Sequence, residues 1–246
     1  MTYTFLENGE FVPSLISILR DGNYLSEDYA KKAHNLFNHY HKIEIDNEIP
    51  LNQKIIEMEN WWESHAKLRI ESKLNKSDII KVSKSNKIKF REFLPEILEI
   101  TFQNNIPFII LSASGLGYIS IIETLKSKKI YFKNIEVISN KHIWDNNGFA
   151  IDFIKPHIHT FNKNENIIKN NSEIYNKIKT RKNIILIGDS LGDSNMAKEN
   201  DNVLKIGFLN FNIDENLENY KKYYDVIIIN DSSMEFVYNL LKEFKN

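Results

Sequence analysis

The chain has 246 residues, 42% hydrophobic and 26% charged, a make-up that fits a globular protein and excludes a disordered one. A formal net charge of −1 argues against nucleic acid as a partner, and the absence of cysteine excludes disulfides and thiolate metal sites. No apolar run approaches the ~20 residues that span a bilayer and no charged-then-apolar leader opens the chain, so a cytoplasmic protein without membrane contact is expected.

Up to about residue 90 the pattern is helical. Residues 27–42, behind a Ser26 cap, place Tyr29, Ala33, Leu36, Phe37 and Tyr40 on one stripe. Residues 51–70 repeat it with Ile55, Met58, Trp61, Trp62, His65 and Leu68, and a short third helix is expected after Ser77. Beyond residue 90 strands and helices alternate. A helix at 90–104 precedes a strand at 107–112, a helix at 118–126 and a strand at 135–139. A hairpin over 143–154 turns at Asp145-Asn146-Asn147-Gly148. A helix at 165–179, a strand at 183–187, a helix at 194–199, strands at 203–206 and 226–229 and a helix at 233–244 complete the series. Such alternation implies a parallel sheet covered on both faces.

The most informative stretch is Ile184-Ile185-Leu186-Ile187-Gly188-Asp189-Ser190-Leu191-Gly192-Asp193, an apolar strand ending in Gly and two carboxylates four residues apart. A buried parallel strand delivers such groups to its C-terminal tip, where open α/β sheets bind ligands. Two hard oxygen donors there suit Mg²⁺; a pair of helix N-caps is the alternative. Ser112-Ala113-Ser114-Gly115-Leu116-Gly117 directly follows the apolar run 108–111. Small residues at a strand-to-helix junction can present amides and a hydroxyl to an anion, or simply make a tight turn. Lys163 stands at an expected helix start, where a cation is misplaced unless a phosphate lies between it and the amides. Otherwise it is one more solvated lysine.

In chain order these are a strand with Ser, a Lys, and a strand with Gly-Asp-x-x-x-Asp, which resembles motifs two to four of the haloacid dehalogenase superfamily of phosphatases. His159-Thr160-Phe161-Asn162-Lys163, Gly188-Asp189-Ser190-Leu191-Gly192-Asp193, Leu204-Lys205-Ile206-Gly207-Phe208-Leu209-Asn210 and Tyr224-Asp225-Val226-Ile227-Ile228-Ile229-Asn230-Asp231 resemble the cytosolic pyrimidine 5′-nucleotidase family over nearly the whole chain. The resemblance implies an α/β fold, a Rossmann-like parallel-sheet core with a helical cap inserted near the N-terminus. Residues 1–14 would end motif one and lead to the cap, 15–89 would form the cap, and 90–246 the phosphatase core.

The implied activity is Mg²⁺-dependent hydrolysis of nucleoside 5′-monophosphates through an aspartyl-phosphate. In that scheme Asp189 holds the metal, while Asp193 binds metal-bound water or steadies Asp189. Ser112 and the amides around Ala113 and Ser114 hold a phosphoryl oxygen, and Lys163 balances charge between nucleophile and phosphate. The family's first motif is Asp-x-Asp-x-Thr, whose first Asp is the nucleophile, and Met1-Thr2 resemble its last two positions. The nucleophile is therefore expected upstream of Met1, leaving the chain as it stands inactive and the facing edges of the strands at 107–112 and 183–187 without a partner. Glu59, Asn60, Trp61, Trp62 and His65 are the candidates for contacting a base, with packing of both tryptophans inside the cap as the alternative. The Ser112–Gly115 turn is one residue longer than the family pattern. A phosphoserine-type phosphatase of the same superfamily and a non-catalytic phosphate-binding protein remain alternatives.

Overall fold

The computed structural model describes residues 1–46, 48–197 and 202–244. Four helices come first: α1 (Leu15–Asp21), α2 (Glu27–Ile45), α3 (Leu51–Glu71) and α4 (Lys76–Ser83). Ser14 caps α1 by accepting the Ser17 N–H, and Asn75 with Asp78 forms a reciprocal capping box on α4. Their apolar faces meet in one core that includes Leu19, Tyr29, Ala33, Leu68, Ile79 and Val82. Leu116 and Ala150 join this core from the remainder of the chain, so the helical layer is seated on it.

The rest is α/β. It runs α5 (Leu94–Gln103), β1 (Phe108–Ser112), α6 (Gly117–Ser127), β2 (Ile135–Ser139), β3 (His142–Trp144) and β4 (Ala150–Phe153). Then come α7 (Glu165–Asn170), α8 (Ser172–Ile178), β5 (Ile184–Gly188), a 3₁₀ turn (Leu191–Ala197), β6 (Val203–Leu209), α9 (Ile213–Tyr220), β7 (Val226–Ile229) and α10 (Glu235–Glu243). Strands β5, β6 and β7 form one parallel sheet and β1 pairs with β2 in another, while β3 and β4 make an antiparallel hairpin. One apolar core lies beneath both parallel sheets, with Leu94 and Leu98 from α5, Ile110, Val137, Ile206, and Val237 from α10. Among the described residues no strand bridges β1 and β5.

Residues 1–5 lie beside residues 89–91. Thr2 bridges Phe90, Tyr3 N–H donates to the Lys89 carbonyl at 2.9 Å, and Arg91 N–H donates to the Met1 carbonyl at 3.0 Å. The Arg91 guanidinium is buried against the Asp231 carboxylate, which also accepts the N–H groups of Thr4 and Phe5. Asp231 thereby has three partners, enough to offset the desolvation of a half-buried carboxylate.

Several elements differ from the sequence expectation. The expected helix at 90–104 begins only at Leu94, because Phe93 takes a left-handed conformation (φ 68°) and Pro95 fits the first turn, where no N–H is needed. The expected helix at 165–179 is broken at Asn171, whose side chain accepts the Ile174 N–H and starts a second helix. In place of a helix at 194–199 there is the 3₁₀ turn, with 198 and 199 outside the described residues. Helices α1 and α9 were not expected, and β6 continues three residues past the predicted end, paired with β7 as far as Leu209.

Candidate active site

The C-terminal end of β5 places its two carboxylates in unlike settings. The 3₁₀ turn folds Asp193 back, and its Oδ2 accepts the backbone N–H groups of Asp189 (3.0 Å) and Ser190 (3.2 Å). Its Oδ1 meets Lys163 Nζ at 2.6 Å, with 4% of the Asp193 side chain exposed and 16% of the Lys163 side chain. Burial works to raise the Asp193 carboxyl, but the Lys163 charge and the two amides outweigh it and hold the group below the usual carboxylate range. Asp189 is exposed, and its side chain makes no hydrogen bond or ion pair with the described residues.

Two tyrosines fix the turn from behind. Tyr220 donates to the Asp189 carbonyl at 2.7 Å, Tyr224 donates to the Ser190 carbonyl, and their rings stack 5.4 Å apart. Burial, then the nearby carboxylates Asp189 and Asp193, push Tyr220 up to about 12. Gly188 is required here, since a Cβ would sit 2.8 Å from the Tyr224 hydroxyl and overlap Asp193.

The β1 turn is also built by close contacts. Ser112 Oγ accepts the Ser114 N–H at 3.2 Å, and Ser114 Oγ accepts the Gly117 N–H at 3.3 Å. Of the amides expected to face a phosphate, that of Ser114 is thus already bonded. Gly117 has φ 69°, and its missing Cβ leaves room for the Asn140 carbonyl, to which Tyr118 N–H donates at 2.8 Å. Asn140 is buried, and its Nδ2 donates to the carbonyls of Ser114 (3.2 Å) and Ile158 (2.9 Å). It ties the turn to the segment 157–163 that carries Lys163.

That segment is held on its other side by the helical layer. Thr160 Oγ1 donates to Glu44 Oε1 at 2.7 Å, and His157 Nε2 lies 3.3 Å from Glu63 Oε2. His159 is fully buried; its Nδ1 accepts the Phe161 N–H, its Nε2 has no partner, and burial holds it down at about 4. A cleft of about 510 Å³ separates the two layers, lined by Met1, Ser112–Gly115, Trp61, Trp62, His65 and residues of both cores. Trp61 is buried and stacks on Tyr40 (5.8 Å, 11°). Trp62 has a buried indole N–H with no partner and stands 6.2 Å from His159. His65 Nε2 bonds Tyr29 OH at 3.0 Å. Glu59 and Asn60 lie on the exposed side of α3 and do not line the cleft.

Residues 1–245 match the profile of a family described as pyrimidine 5′-nucleotidase (UMPH-1). The chain is 35% identical over 241 residues to a mouse 7-methylguanosine phosphate-specific 5′-nucleotidase, covering 97% of this chain and 79% of that protein. A Drosophila melanogaster protein with the same description is 31% identical over 238 residues, covering 96% and 74%. The chain belongs to the pyrimidine 5′-nucleotidase family. A crystal structure of cytosolic 5′-nucleotidase IIIB bound to cytidine superposes with a TM-score of 0.85 at 29% identity, covering 98% of this nucleotidase and 80% of that chain. A phosphoserine phosphohydrolase-like protein from Francisella tularensis, 15% identical with a TM-score of 0.51 over 92% of both chains, shares the fold. The enzyme class is that of a 5′-nucleotidase, a phosphatase with the haloacid dehalogenase fold.

The donor set can be tested against the Mg²⁺ that the family implies. The described residues hold no group of three or more His, Asp or Glu able to enclose an ion. One free carboxylate, Asp189, at the tip of β5 nevertheless fits Mg²⁺, which takes one or two carboxylates with water and phosphate rather than a protein cage. Asp193 has both oxygens occupied in this nucleotidase. Asn140, Tyr220, Tyr224 and Glu44 were not singled out by sequence reasoning. Only Tyr224 carried a signal, lying at the head of the family-like segment 224–231.

Proposed function

We propose that this nucleotidase hydrolyses nucleoside 5′-monophosphates in the cytoplasm with Mg²⁺, with α1–α4 serving as a cap over the phosphate site. No helix of the described residues is long and apolar enough to cross a membrane. The observation that carries the reading is the division of labour at β5: Asp193 is spent on Lys163 and the turn, so Asp189 is left free at the strand tip. In this scheme Lys163, steadied by Asp193, places positive charge against the phosphate, and Ser112 and its turn receive a phosphoryl oxygen. Asp189 would hold Mg²⁺, which supplies charge neutralisation on the phosphate.

Trp62 is the cap residue with a recognition group to spare, whereas Trp61 is used in stacking within the cap. The relatives are named for 7-methylguanosine phosphate and one structure holds cytidine, which supports a nucleoside monophosphate as substrate. The test is phosphate release with Mg²⁺ from cytidine, uridine and 7-methylguanosine 5′-monophosphates and from phosphoserine. It compares this chain with one extended ahead of Met1 by a strand ending in Asp-x-Asp. Release from the nucleotides by either chain supports the proposal. Release from phosphoserine alone, or silence from two well-folded proteins, refutes it.

A further inference from the structure

Arg69 is a buried cation that the scheme above does not use. It sits on α3 at spacings of seven and four residues from Trp62 and His65, on the face that lines the cleft. The residue is 3% exposed. Its Nη1 donates to the carbonyl of Gly115, in the turn after β1, and its guanidinium carbon lies 5.0 Å from the centre of the Phe153 ring. Its Nε is buried without a hydrogen-bond partner.

No carboxylate among the described residues forms an ion pair with it. The contrast with Arg91, equally buried, is direct: Arg91 has the Asp231 carboxylate and the Asn210 amide oxygen. The groups that face Arg69 are Tyr29, His65, His142 and His157, with Arg20 also within electrostatic reach of Tyr29 and His65. Burial holds Arg69 down to about 10, still charged at neutral pH, and burial with the Arg69 charge keeps His65 and His142 neutral. Among the described residues the cleft wall offers no Asp or Glu to either arginine; Arg20 finds Asp21 outside it at 3.0 Å. A desolvated cation without a counter-charge is costly unless something supplies one.

We infer that Arg69 is an anion-binding residue of the cleft, taking a phosphate-type oxyanion of the substrate beside the Ser112–Gly115 turn. That oxyanion is either the phosphate that reacts or a second anionic group on the leaving group. Both put the same chemistry against the guanidinium, and both make the cleft select for negative charge. The inference rests on the phosphomonoesterase reading for the identity of the substrate, while the uncompensated charge stands apart from it.

The experiment titrates orthophosphate into the wild-type chain, Arg69→Met and Arg69→Lys by calorimetry. The Arg69 Nε–H resonance of the wild type is followed by NMR. The expected result is a shifted Nε–H signal and roughly tenfold or greater loss of affinity in Arg69→Met, with a smaller loss in Arg69→Lys. Cytidine 5′-monophosphate and cytidine 3′,5′-bisphosphate then separate the two sources. Equal losses assign Arg69 to the reacting phosphate, and a loss confined to the bisphosphate assigns it to the second group. Should Arg69→Met not fold, the NMR titration and Arg69→Lys decide. An Nε–H signal that stays fixed while phosphate binds the wild type and Arg69→Lys equally overturns the inference and leaves the proposed function standing. No anion binding to the wild type overturns both.

Discussion

Lys163→Met is the sharpest probe of the pair at the strand tip. It removes the cation facing Asp193 and leaves a carboxylate with 4% of its surface exposed. Breaking a buried pair from one side costs about 3–5 kcal/mol. Asp193 keeps its two amide donors, so the lower end, about 3 kcal/mol, is expected. At about 2–4 °C per kcal/mol for a chain of this size, the melting temperature should fall by about 6–12 °C. Asp193→Asn should cost less. Its amide oxygen can still accept the two N–H groups, and Lys163, the more exposed partner, can turn its ammonium toward water. The Asp193 carboxyl is held low in the folded chain, so the pair's contribution is present above the ordinary carboxylate range and is lost as pH falls through the depressed value. The deficit of Lys163→Met should accordingly shrink in acid. Scanning calorimetry of the two variants from pH 7 downward is the assay. A Lys163→Met chain that melts within about 2 °C of wild type, or an Asp193→Asn chain that is the weaker of the two, refutes the reasoning.

Acid should also destabilise the fold through its buried histidines. His159 is held at about 4 against about 6.5 when unfolded, so below 6.5 the unfolded chain takes up a proton that the folded chain refuses, a loss of about 2 kcal/mol by pH 5. Ring resonances of His159 that titrate near pH 6.5 in the folded protein would contradict this. Gly117→Ala should cost about 2–4 kcal/mol, combining a left-handed φ with displacement of the Asn140 carbonyl, whereas Gly9→Ala, also at positive φ but with open space around it, should cost about 1. Equal melting temperatures for the two variants would show that the Asn140 contact does not hold the turn.

The candidate site residues are legible because each lies in a short local pattern. A β-branched run names a buried strand, and the few residues at its C-terminal end stand at the ligand-binding edge. Asp189, Asp193 and Ser112 stand out as candidates in that way, and Lys163 through its clash with a helix start. The residues that hold them were not legible, because their contacts span the chain. Tyr220 reaches back 31 residues to Asp189, Asn140 reaches forward 18 to Ile158, and Glu44 spans 116 residues to Thr160. Arg69 reads in sequence as one more charge on a helix; only the docking of α3 against the β1 turn makes it buried. Helix α1 escaped because seven residues, LISILRD, give barely two turns of periodicity and no acidic first turn.

The Trp61-Trp62 pair shows why neighbouring residues of one type need not share a role. Successive helical positions point about 100° apart, so one docking face cannot absorb both rings. Trp61, which also borders the cleft, completes a stack with Tyr40 inside the helical layer, a role that any large aromatic residue could fill. Trp62 turns to the seam with the α/β layer, and its N–H is buried there near His159, whose Nε2 is also unpartnered. Two orphaned polar atoms across one seam are a cost that internal packing alone would have removed, for example with Phe at either place. Under the proposed function, the unpaired Trp62 N–H is a donor that a polar group of the substrate would meet at this seam.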